Sequence, residues 1–180
     1  CWNIYACRTW HTVTTSGTRG LIYDRNGIPL ASNQLAYTVT IEDNLNYKDE
    51  DYDEKLNEII YNVIRIVEQN GDVLNNDFSI ILGTNGDYMY SVASDNARLR
   101  FLRDIYGKKS IDELDSDKET LSTSTAEDVM KYLCGKKRFN IDNEKYTKSD
   151  KLKIAIIRYN LSLNSFQKYM TTEIANNVSD

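Results

Sequence analysis

The residues best suited to chemistry in this chain are a serine and a lysine near its C-terminal end. Ser165 and Lys168 form an S-x-x-K pattern, in which a helical turn sets a lysine base beside a serine nucleophile. Ser162 and Asn164 form an S-x-N pattern just before it. Serine acyltransferases that use both patterns place S-x-N after S-x-x-K and add a K-T-G strand, which this sequence lacks. Acyl transfer by Ser165 and Lys168 is therefore an alternative hypothesis here, and not the principal one.

Other catalytic and metal-binding patterns are missing from the sequence or out of register. His11 is the only histidine, and there is neither a G-x-S-x-G elbow nor a phosphate-binding G-x-x-x-x-G-K-[ST] loop. The acidic cluster consists of Asp112, Glu113, Asp115, Asp117 and Glu119. The glycine and the final glutamate that an EF-hand loop requires do not fall in register with it. We predict a solvated loop there, and the sequence indicates no cofactor and no metal.

The composition is that of an ordinary globular protein with an acidic balance. The 180 residues include 22 basic and 27 acidic side chains, which gives a formal net charge of -5. A general nucleic-acid binder would carry a strong basic excess, so we expect no nucleic-acid partner. No segment reaches the roughly 18 consecutive apolar residues of a membrane helix. Cys1 and Cys7 could pair or stay free, whereas Cys134 is expected to be a small core residue.

The first structural element that the sequence predicts is a β-hairpin. Two apolar runs, at 21–23 and 28–31, flank the residues Asp-Arg-Asn-Gly at 24–27. Aspartate at the first turn position and glycine at the fourth favour a type I turn in which Gly27 is left-handed and forms a bulge. Pro29 should lie at a strand edge or an unpaired position, because proline has no N–H to donate.

Helical periodicity predicts four helices in the rest of the chain. The first has an apolar stripe at helical spacing, formed by Leu56, Ile59, Ile60, Val63 and Val67. The other three stripes run from Leu99 to Tyr106, from Ala126 to Leu133 and from Leu152 to Leu163. Alternating or apolar runs predict strands at 35–41, 78–82 and 88–92, with a weaker one at 172–178. Strands and helices mix without a regular βαβ rhythm, which indicates the α+β class.

The ends of these helices are predicted from capping chemistry. Asp95 is the expected N-cap of the second helix. Ser124 and Glu127 have the spacing of a capping box for the third helix, and Thr147 or Ser149 can cap the fourth. Three glycines are expected to end the first three helices, namely Gly71, Gly107 and Gly135. The polar segment 108–124 is predicted to be a loop or a boundary between subdomains.

The segment from Arg19 to Ala31, RGLIYDRNGIPLA, resembles the R-G-x-I-x-D-R-N-G-x-x-L-A signature of class B penicillin-binding proteins. In that family the signature opens the non-catalytic pedestal module, which is often called the dimerisation domain. Asn33 and the strand at 37–41 also fit the family pattern. Residues 139–161 resemble the helical region that closes the pedestal, and residues 174–179 resemble the strand that leaves it. The similarity therefore covers both ends of the chain, whereas the middle diverges from the family pattern.

This resemblance implies a domain organisation and a fold. Residues 1–18 would be a juxtamembrane lead-in that follows a removed membrane anchor, and residues 19–180 would be the pedestal. The transpeptidase domain that follows the pedestal in the family is absent from this sequence. The expected fold is α+β, with a β-hairpin, short strands and a cluster of about four helices.

The resemblance also implies a function without chemistry of its own. The pedestal would hold the parent's transpeptidase domain away from the membrane and would contact a SEDS-type glycan polymerase and cell-wall scaffold proteins. The parent would be a single-pass peptidoglycan D,D-transpeptidase on the extracytoplasmic face of the bacterial cell membrane, which the chain would reach only through the removed anchor. A homodimer stays open, as does an unrelated extracellular binding module.

The signature residues are interpreted as structural and not as ligand contacts. Gly27 permits the left-handed turn, and Asp24 and Asn26 can bond the turn backbone. The two arginines of the signature are expected to pair with a nearby carboxylate, most plainly that of Asp24. The complete set is Arg19, Gly20, Asp24, Arg25, Asn26 and Gly27.

Overall fold

The computed structural model of the chain describes residues 20–31, 37–42, 45, 48–116, 119–163 and 171–178. The chain forms two compact units, Cys1–Leu35 and Ala36–Asp180. In these described ranges four α-helices combine with short antiparallel strands, so the α+β class is confirmed. The predicted domain extents, 1–18 and 19–180, stay predictions.

In the first unit the described residues form the predicted hairpin. Strand β1 (Ile22–Tyr23) pairs antiparallel with β2 (Pro29–Ala31). Ile22 lies opposite Ala31 and Tyr23 lies opposite Pro29, so the register shifts between the two pairs. The shift leaves Leu30 as the extra residue of β2 between the two pairs, so it is separate from the bulge predicted at Gly27.

The second unit contains the four helices and six further strands of the described residues. In chain order they are β3 (Tyr37–Ile41), α1 (Tyr52–Gln69), β4 (Ile80–Leu82), β5 (Tyr88–Tyr90), α2 (Asp95–Ile105), β6 (Asp115–Ser116), β7 (Glu119–Thr120), α3 (Ala126–Cys134), α4 (Lys148–Leu163) and β8 (Thr172–Val178). Short 3-10 helices at Ile111–Leu114 and Leu121–Thr123 flank the β6–β7 pair. The segment predicted as a loop or boundary therefore contains these four short elements.

Helix α1 is amphipathic, but its core face differs from the predicted stripe. The buried positions are Leu56, Asn57, Ile60, Ile64 and Val67. Ile59 was predicted in the stripe, yet it is 43% exposed, while the adjacent Ile60 is fully buried. Consecutive helical residues point about 100° apart, so a small rotation of the buried face excludes Ile59 and includes Ile64. The predicted end at Gly71 is confirmed, since Gly71 is left-handed with φ +82°.

The central hairpin and α2 form an aromatic part of the core. Strands β4 and β5 pair antiparallel, with Ile81 opposite Met89. Phe78, just before β4, meets Phe101 of α2 edge-on, with ring centroids 5.1 Å apart. The predicted hairpin between the first two helices is therefore confirmed, and edge-to-face ring contacts fix α2 against it.

Two predicted helix caps are displaced by one residue. The N-cap of α2 is Ser94, whose Oγ accepts from the Ala97 N–H at 3.2 Å, so the prediction of Asp95 was wrong. The N-cap of α3 is Thr125, which forms a capping box with Asp128 in place of Ser124 with Glu127. At both sites two neighbouring residues could serve as the cap. The residue that does so is the one with an extended backbone, Ser94 for α2 and Thr125 for α3.

The position of the N-cap of α3 can be tested by mutation. Replacing Thr125 with alanine removes the acceptor of the Asp128 N–H, which Thr125 Oγ1 contacts at 3.2 Å. We expect a loss of about 1 kcal/mol in the free energy of unfolding, measured by urea denaturation. Glu127→Ala is the matched control, because Glu127 has no capping role and forms an exposed ion pair with Lys148. A larger loss for the control than for Thr125→Ala would contradict the observed cap.

Helix α4 is the centre of the second unit and is buried on most of its circumference. Its buried positions are Leu152, Ile154, Ala155, Ile156, Ile157 and Arg158. Thr147 caps it, since Thr147 Oγ1 accepts from the Asp150 N–H at 3.2 Å, which confirms one of the two predicted caps. Leu163 was predicted in the apolar stripe but is 59% exposed at the end of the helix.

The two ends of the second unit meet in one sheet. Strand β3 pairs antiparallel with β8, and Val39 lies opposite the fully buried Ala175. The backbone N–H of Asn75, in the loop after α1, donates to the Ile174 carbonyl at 2.7 Å. Both strands are predicted from the sequence, but their pairing across more than 130 residues is decided by the tertiary fold.

Candidate functional site

The signature turn is held by one carboxylate. Asp24 Oδ1 accepts hydrogen bonds from the backbone N–H groups of Asn26 and Ile28, each at 2.8 Å. The Gly27 N–H donates to the Asp24 carbonyl at 3.1 Å, and the φ angle of Gly27 is +80°. These contacts stabilise the turn, because the Asp24 side chain accepts hydrogen bonds from backbone N–H groups of the turn.

The predicted pairing of Arg25 with Asp24 is not present among the contacts of the described hairpin. Asp24 Oδ1 is occupied by two backbone donors, and Asp24 Oδ2 lies 3.5 Å from Asn26 Nδ2. The Arg25 side chain is exposed, as is Gly20. Arg19, the remaining signature residue, lies outside the described residues. The signature therefore contributes turn geometry through Asp24, Asn26 and Gly27.

A test of the turn follows from the left-handed glycine. Replacing Gly27 with valine should strain the turn by roughly 1–2 kcal/mol, because a β-branched side chain is penalised at positive φ. A Cβ atom at Gly27 would have no other atom within 4 Å, so the loss of stability would come from backbone strain alone. We expect a lower melting temperature in a thermal scan. Gly20→Val is the control, because Gly20 has open space and no left-handed φ; equal melting temperatures would tell against this role of Gly27.

The same hairpin displays a concentration of exposed apolar side chains. Five of its residues have exposed fractions between 48% and 69%, namely Leu21, Ile22, Tyr23, Ile28 and Leu30. A two-stranded hairpin is only marginally stable in water, and clustered exposed apolar residues mark interaction sites. This hairpin is therefore a candidate binding element.

A buried polar group joins α1, α4 and the loop between α3 and α4. Arg158, whose side chain is 7% exposed, contacts Asp53 with Nη2 and Oδ1 2.5 Å apart. Its guanidinium also lies 5.1 Å from the ring centroid of Phe139. Asn57 Nδ2 donates to the carbonyls of Phe139 at 2.9 Å and Asn140 at 3.2 Å. These bonds fix the loop, including Asn140 with its φ of +46°, against both helices.

A cavity of about 450 Å³ lies between α1 and this loop. Glu54 and Asn57 line it from α1, and Lys136 and Tyr146 line it from the loop. Lys145 Nζ lies 3.1 Å from Glu58 Oε2 and links the two sides by an ion pair. The walls thus carry charges of both signs. Among the described residues, no three Cys, His, Asp or Glu side chains are grouped as they would be to hold a metal ion.

Burial governs the ionisation of the Cys134 thiol, which lines the cavity and could otherwise react there. Burial raises the pKa of the Cys134 thiol to about 11, so that it stays protonated at neutral pH and is a poor nucleophile. This agrees with its predicted role as a core residue, since Cys134 is 8% exposed. Ser165 and Lys168, the alternative catalytic pair, lie outside the described residues.

A further test uses Tyr90, a partly buried tyrosine of the central hairpin. Burial raises the pKa of Tyr90 from 10.0 to about 12, and its hydroxyl donates to the Ser124 carbonyl at 2.7 Å. Above pH 10 the unfolded chain releases this proton while the folded chain keeps it, so stability is present below pH 10 and is lost as the pH rises towards 12. Urea denaturation across this range should show a shallower decline for Tyr90→Phe. Parallel curves would contradict the role of Tyr90.

Comparison with known families identifies the class of this protein. The described residues comprise an apolar hairpin with a side-chain-stabilised turn in the first unit, and four helices with short antiparallel strands in the second. A family model of the penicillin-binding protein dimerisation domain matches residues 14–180. The chain belongs to this family, and a dimerisation domain is non-catalytic. No curated protein matches the chain. Within the described residues, no helix is both long and apolar enough to cross a bilayer.

The sequence analysis found the signature turn but missed the buried polar group. Asn57 lies between Leu56 and Ile60 on the buried face of α1, and Arg158 interrupts the apolar run of α4. The available signal was a polar residue at a position where the helical pattern calls for an apolar one. Such a residue is buried only when it has hydrogen-bond or ion-pair partners. Its partners could not be read from sequence, since Asp53 and Arg158 are far apart along the chain.

Proposed function

We propose that this chain is the pedestal of a class B penicillin-binding protein. In this role it positions a transpeptidase domain that cross-links peptidoglycan, and it works on the extracytoplasmic face of the bacterial membrane. The observation that carries the proposal is the combination of the family match over residues 14–180 with the signature turn at 24–27, which Asp24 stabilises. A support module needs a fixed geometry, which the buried contacts among α1, α4 and the 135–146 loop provide.

The proposal includes contacts with a SEDS-type glycan polymerase and with cell-wall scaffold proteins. The exposed hairpin supports such contacts, because its apolar side chains are unusual on the surface of an isolated domain. Co-purification of the polymerase with the chain should weaken when Leu30 is replaced by serine. Met89→Ser is a matched control, since Met89 is 49% exposed on the β4–β5 hairpin. Equal retention of the polymerase by both variants would contradict a role of the signature hairpin.

The absence of chemistry is tested with a labelled penicillin. The purified 180-residue chain is incubated with the label, denatured, and analysed by mass spectrometry. We expect no covalent adduct, because the acyl-serine would form in a transpeptidase domain that follows the pedestal. An adduct on Ser165 that disappears in Ser165→Ala would overturn the non-catalytic role and favour the acyltransferase alternative. The coding sequence downstream supplies a second check, since a K-T-G triplet is expected there.

A further inference from the structure

The cavity of about 450 Å³ between α1 and the loop that joins α3 to α4 combines buried polar residues with exposed charges. Asn57 and Tyr146, which line it, are only 1% and 5% exposed. Glu54 and Lys136 line it as well, and both are exposed. Its volume falls within the range of roughly 300–1,000 Å³ that is typical of small-molecule sites. The cavity is therefore large enough to hold a ligand, and its walls are polar enough to orient one.

The α1 wall of the cavity offers hydrogen-bond acceptors. Asn57 Nδ2 donates to the carbonyls of Phe139 and Asn140, so the orientation of this amide is fixed. Asn57 Oδ1 is buried and accepts no hydrogen bond from any residue that the structure describes. Buried polar groups nearly always have a partner, so this oxygen needs a donor that enters through the cavity. Glu54, one turn earlier on α1, forms no ion pair within the described ranges.

The loop wall offers donors on the opposite side. Lys136 forms no ion pair with any described residue. The Tyr146 hydroxyl is buried without a hydrogen bond of good geometry to the described chain, and the Lys145 ammonium lies 5.5 Å from the centre of its ring. Two carboxylates also belong to this wall. Asp142 is used by its own turn, since its Oδ1 accepts from the Glu144 and Lys145 N–H groups at 2.8 Å and 3.3 Å, and Glu144 is exposed.

The backbone beside the buried amide has an unusual conformation. Asn140 lines the cavity with a φ of +46°, and it is the only residue other than glycine with a positive φ in the described part of the chain. Asparagine tolerates this region better than most residues, but such conformations are concentrated at sites that bind ligands. The Asn140 carbonyl accepts from Asn57 Nδ2 at 3.2 Å. The unusual backbone thus holds the amide whose oxygen has no partner.

We propose that this cavity binds a small molecule that carries both an ammonium and a carboxylate group, namely an amino acid or a short peptide with free ends. Its ammonium group donates to Asn57 Oδ1 and pairs with Glu54. Its carboxylate accepts from the Tyr146 hydroxyl and pairs with Lys136. The inference goes beyond the support role and does not depend on it.

A ligand of both charges fits these walls better than a ligand of one charge. A purely anionic ligand would be repelled by Glu54 and Glu144, and it would leave Asn57 Oδ1 without a donor. A purely cationic ligand would be repelled by Lys136, and it would leave the Tyr146 hydroxyl without an acceptor. An ammonium and a carboxylate on one molecule satisfy both walls at the same time.

Titration of the isotope-labelled 180-residue chain with trialanine, followed by NMR, tests the proposal. We expect shifts at the Asn57 side-chain amide and at the backbone amides of 140–146. The dissociation constant should be about 1 mM, because a ligand of this size gains little binding free energy per atom. Alanine is titrated in parallel. Tighter binding of trialanine supports a peptide as the ligand, and equal binding supports an amino acid.

Blocked peptides test whether both charges are recognised. N-acetyl-trialanine lacks the ammonium group and trialanine amide lacks the carboxylate, so each should bind at least about tenfold more weakly than trialanine. Equal binding of the three peptides would overturn the proposal. Absence of shifts at the named amides up to about 20 mM trialanine would also overturn it, and would indicate a cavity that holds only water.

Two exposed side chains allow each contact to be removed without loss of the fold. Lys136→Gln should weaken trialanine about three- to fivefold and leave trialanine amide unchanged, because the amide has no carboxylate to lose a partner. Glu54→Gln should weaken trialanine to a similar extent and leave N-acetyl-trialanine unchanged. Lys137→Gln and Glu50→Gln are the matched controls, since both residues are exposed and neither lines the cavity. Thermal scans verify that every variant is folded.

The controls decide whether the ligand occupies this cavity. Equal weakening by Lys137→Gln and Lys136→Gln, or by Glu50→Gln and Glu54→Gln, would overturn the proposed site. Loss of selectivity for trialanine in the cavity variants alone would support it. None of these results would alter the penicillin-labelling outcome, so failure of this inference and failure of the proposed function are distinguishable.

Discussion

Replacing Asp53 with alanine is expected to lower the free energy of unfolding by about 2–3 kcal/mol, which is at or below the range for breaking a buried ion pair. The change leaves the Arg158 guanidinium without its carboxylate, and Arg158 Nη1 already has no hydrogen-bond partner among the described residues. The expected loss is at or below the range for a fully buried pair because the Asp53 side chain is 29% exposed and water can reach it. Urea denaturation followed by circular dichroism measures the loss.

Two further variants make this prediction specific to the buried pair. Asp51→Ala removes an ion pair with Lys55 in which both side chains are about half exposed, so the urea midpoint should barely change. The double variant Asp53→Leu with Arg158→Met replaces both charges by apolar groups and should regain much of the lost stability. A double variant as unstable as Asp53→Ala would show that packing, and not the unpaired charge, causes the loss.

Replacing Ile60 with alanine is expected to cost about 3 kcal/mol of stability, because the surrounding core collapses only partly around the deleted atoms. Ile60 is fully buried in the cluster that α1 shares with the other helices. Its neighbour Ile59 offers a control of the same residue type on the same helix, and it is 43% exposed. Ile59→Ala should therefore change the free energy of unfolding by less than about 1 kcal/mol.

This pair of variants separates the two interpretations of the helix. The sequence stripe places both isoleucines in the core, whereas the structure places only Ile60 there. Urea denaturation of both variants under one set of conditions decides between them. Equal losses would restore the sequence stripe and would contradict the orientation of α1 described above.

The sequence by itself determined the local features of this protein. The turn at 24–27 is encoded by an aspartate that can bond the backbone and a glycine that tolerates positive φ, and both depend only on neighbouring residues. The existence of four helices follows from apolar spacing, since burying one face of a helix requires a period of 3.6 residues. The family signature also lies within one short segment, so it was visible without any structure.

Only the tertiary structure decided the features that join distant segments. Pairing of β3 with β8, the ion pair between Asp53 and Arg158, and the contact of Asn57 with the 139–140 carbonyls all connect positions at least 80 residues apart. No local pattern specifies such a partner, because the energy of each contact depends on which surfaces the whole chain brings together. For the same reason the burial of Ile60 rather than Ile59 was settled by packing against neighbouring elements, since the two differ by only one position along the helix.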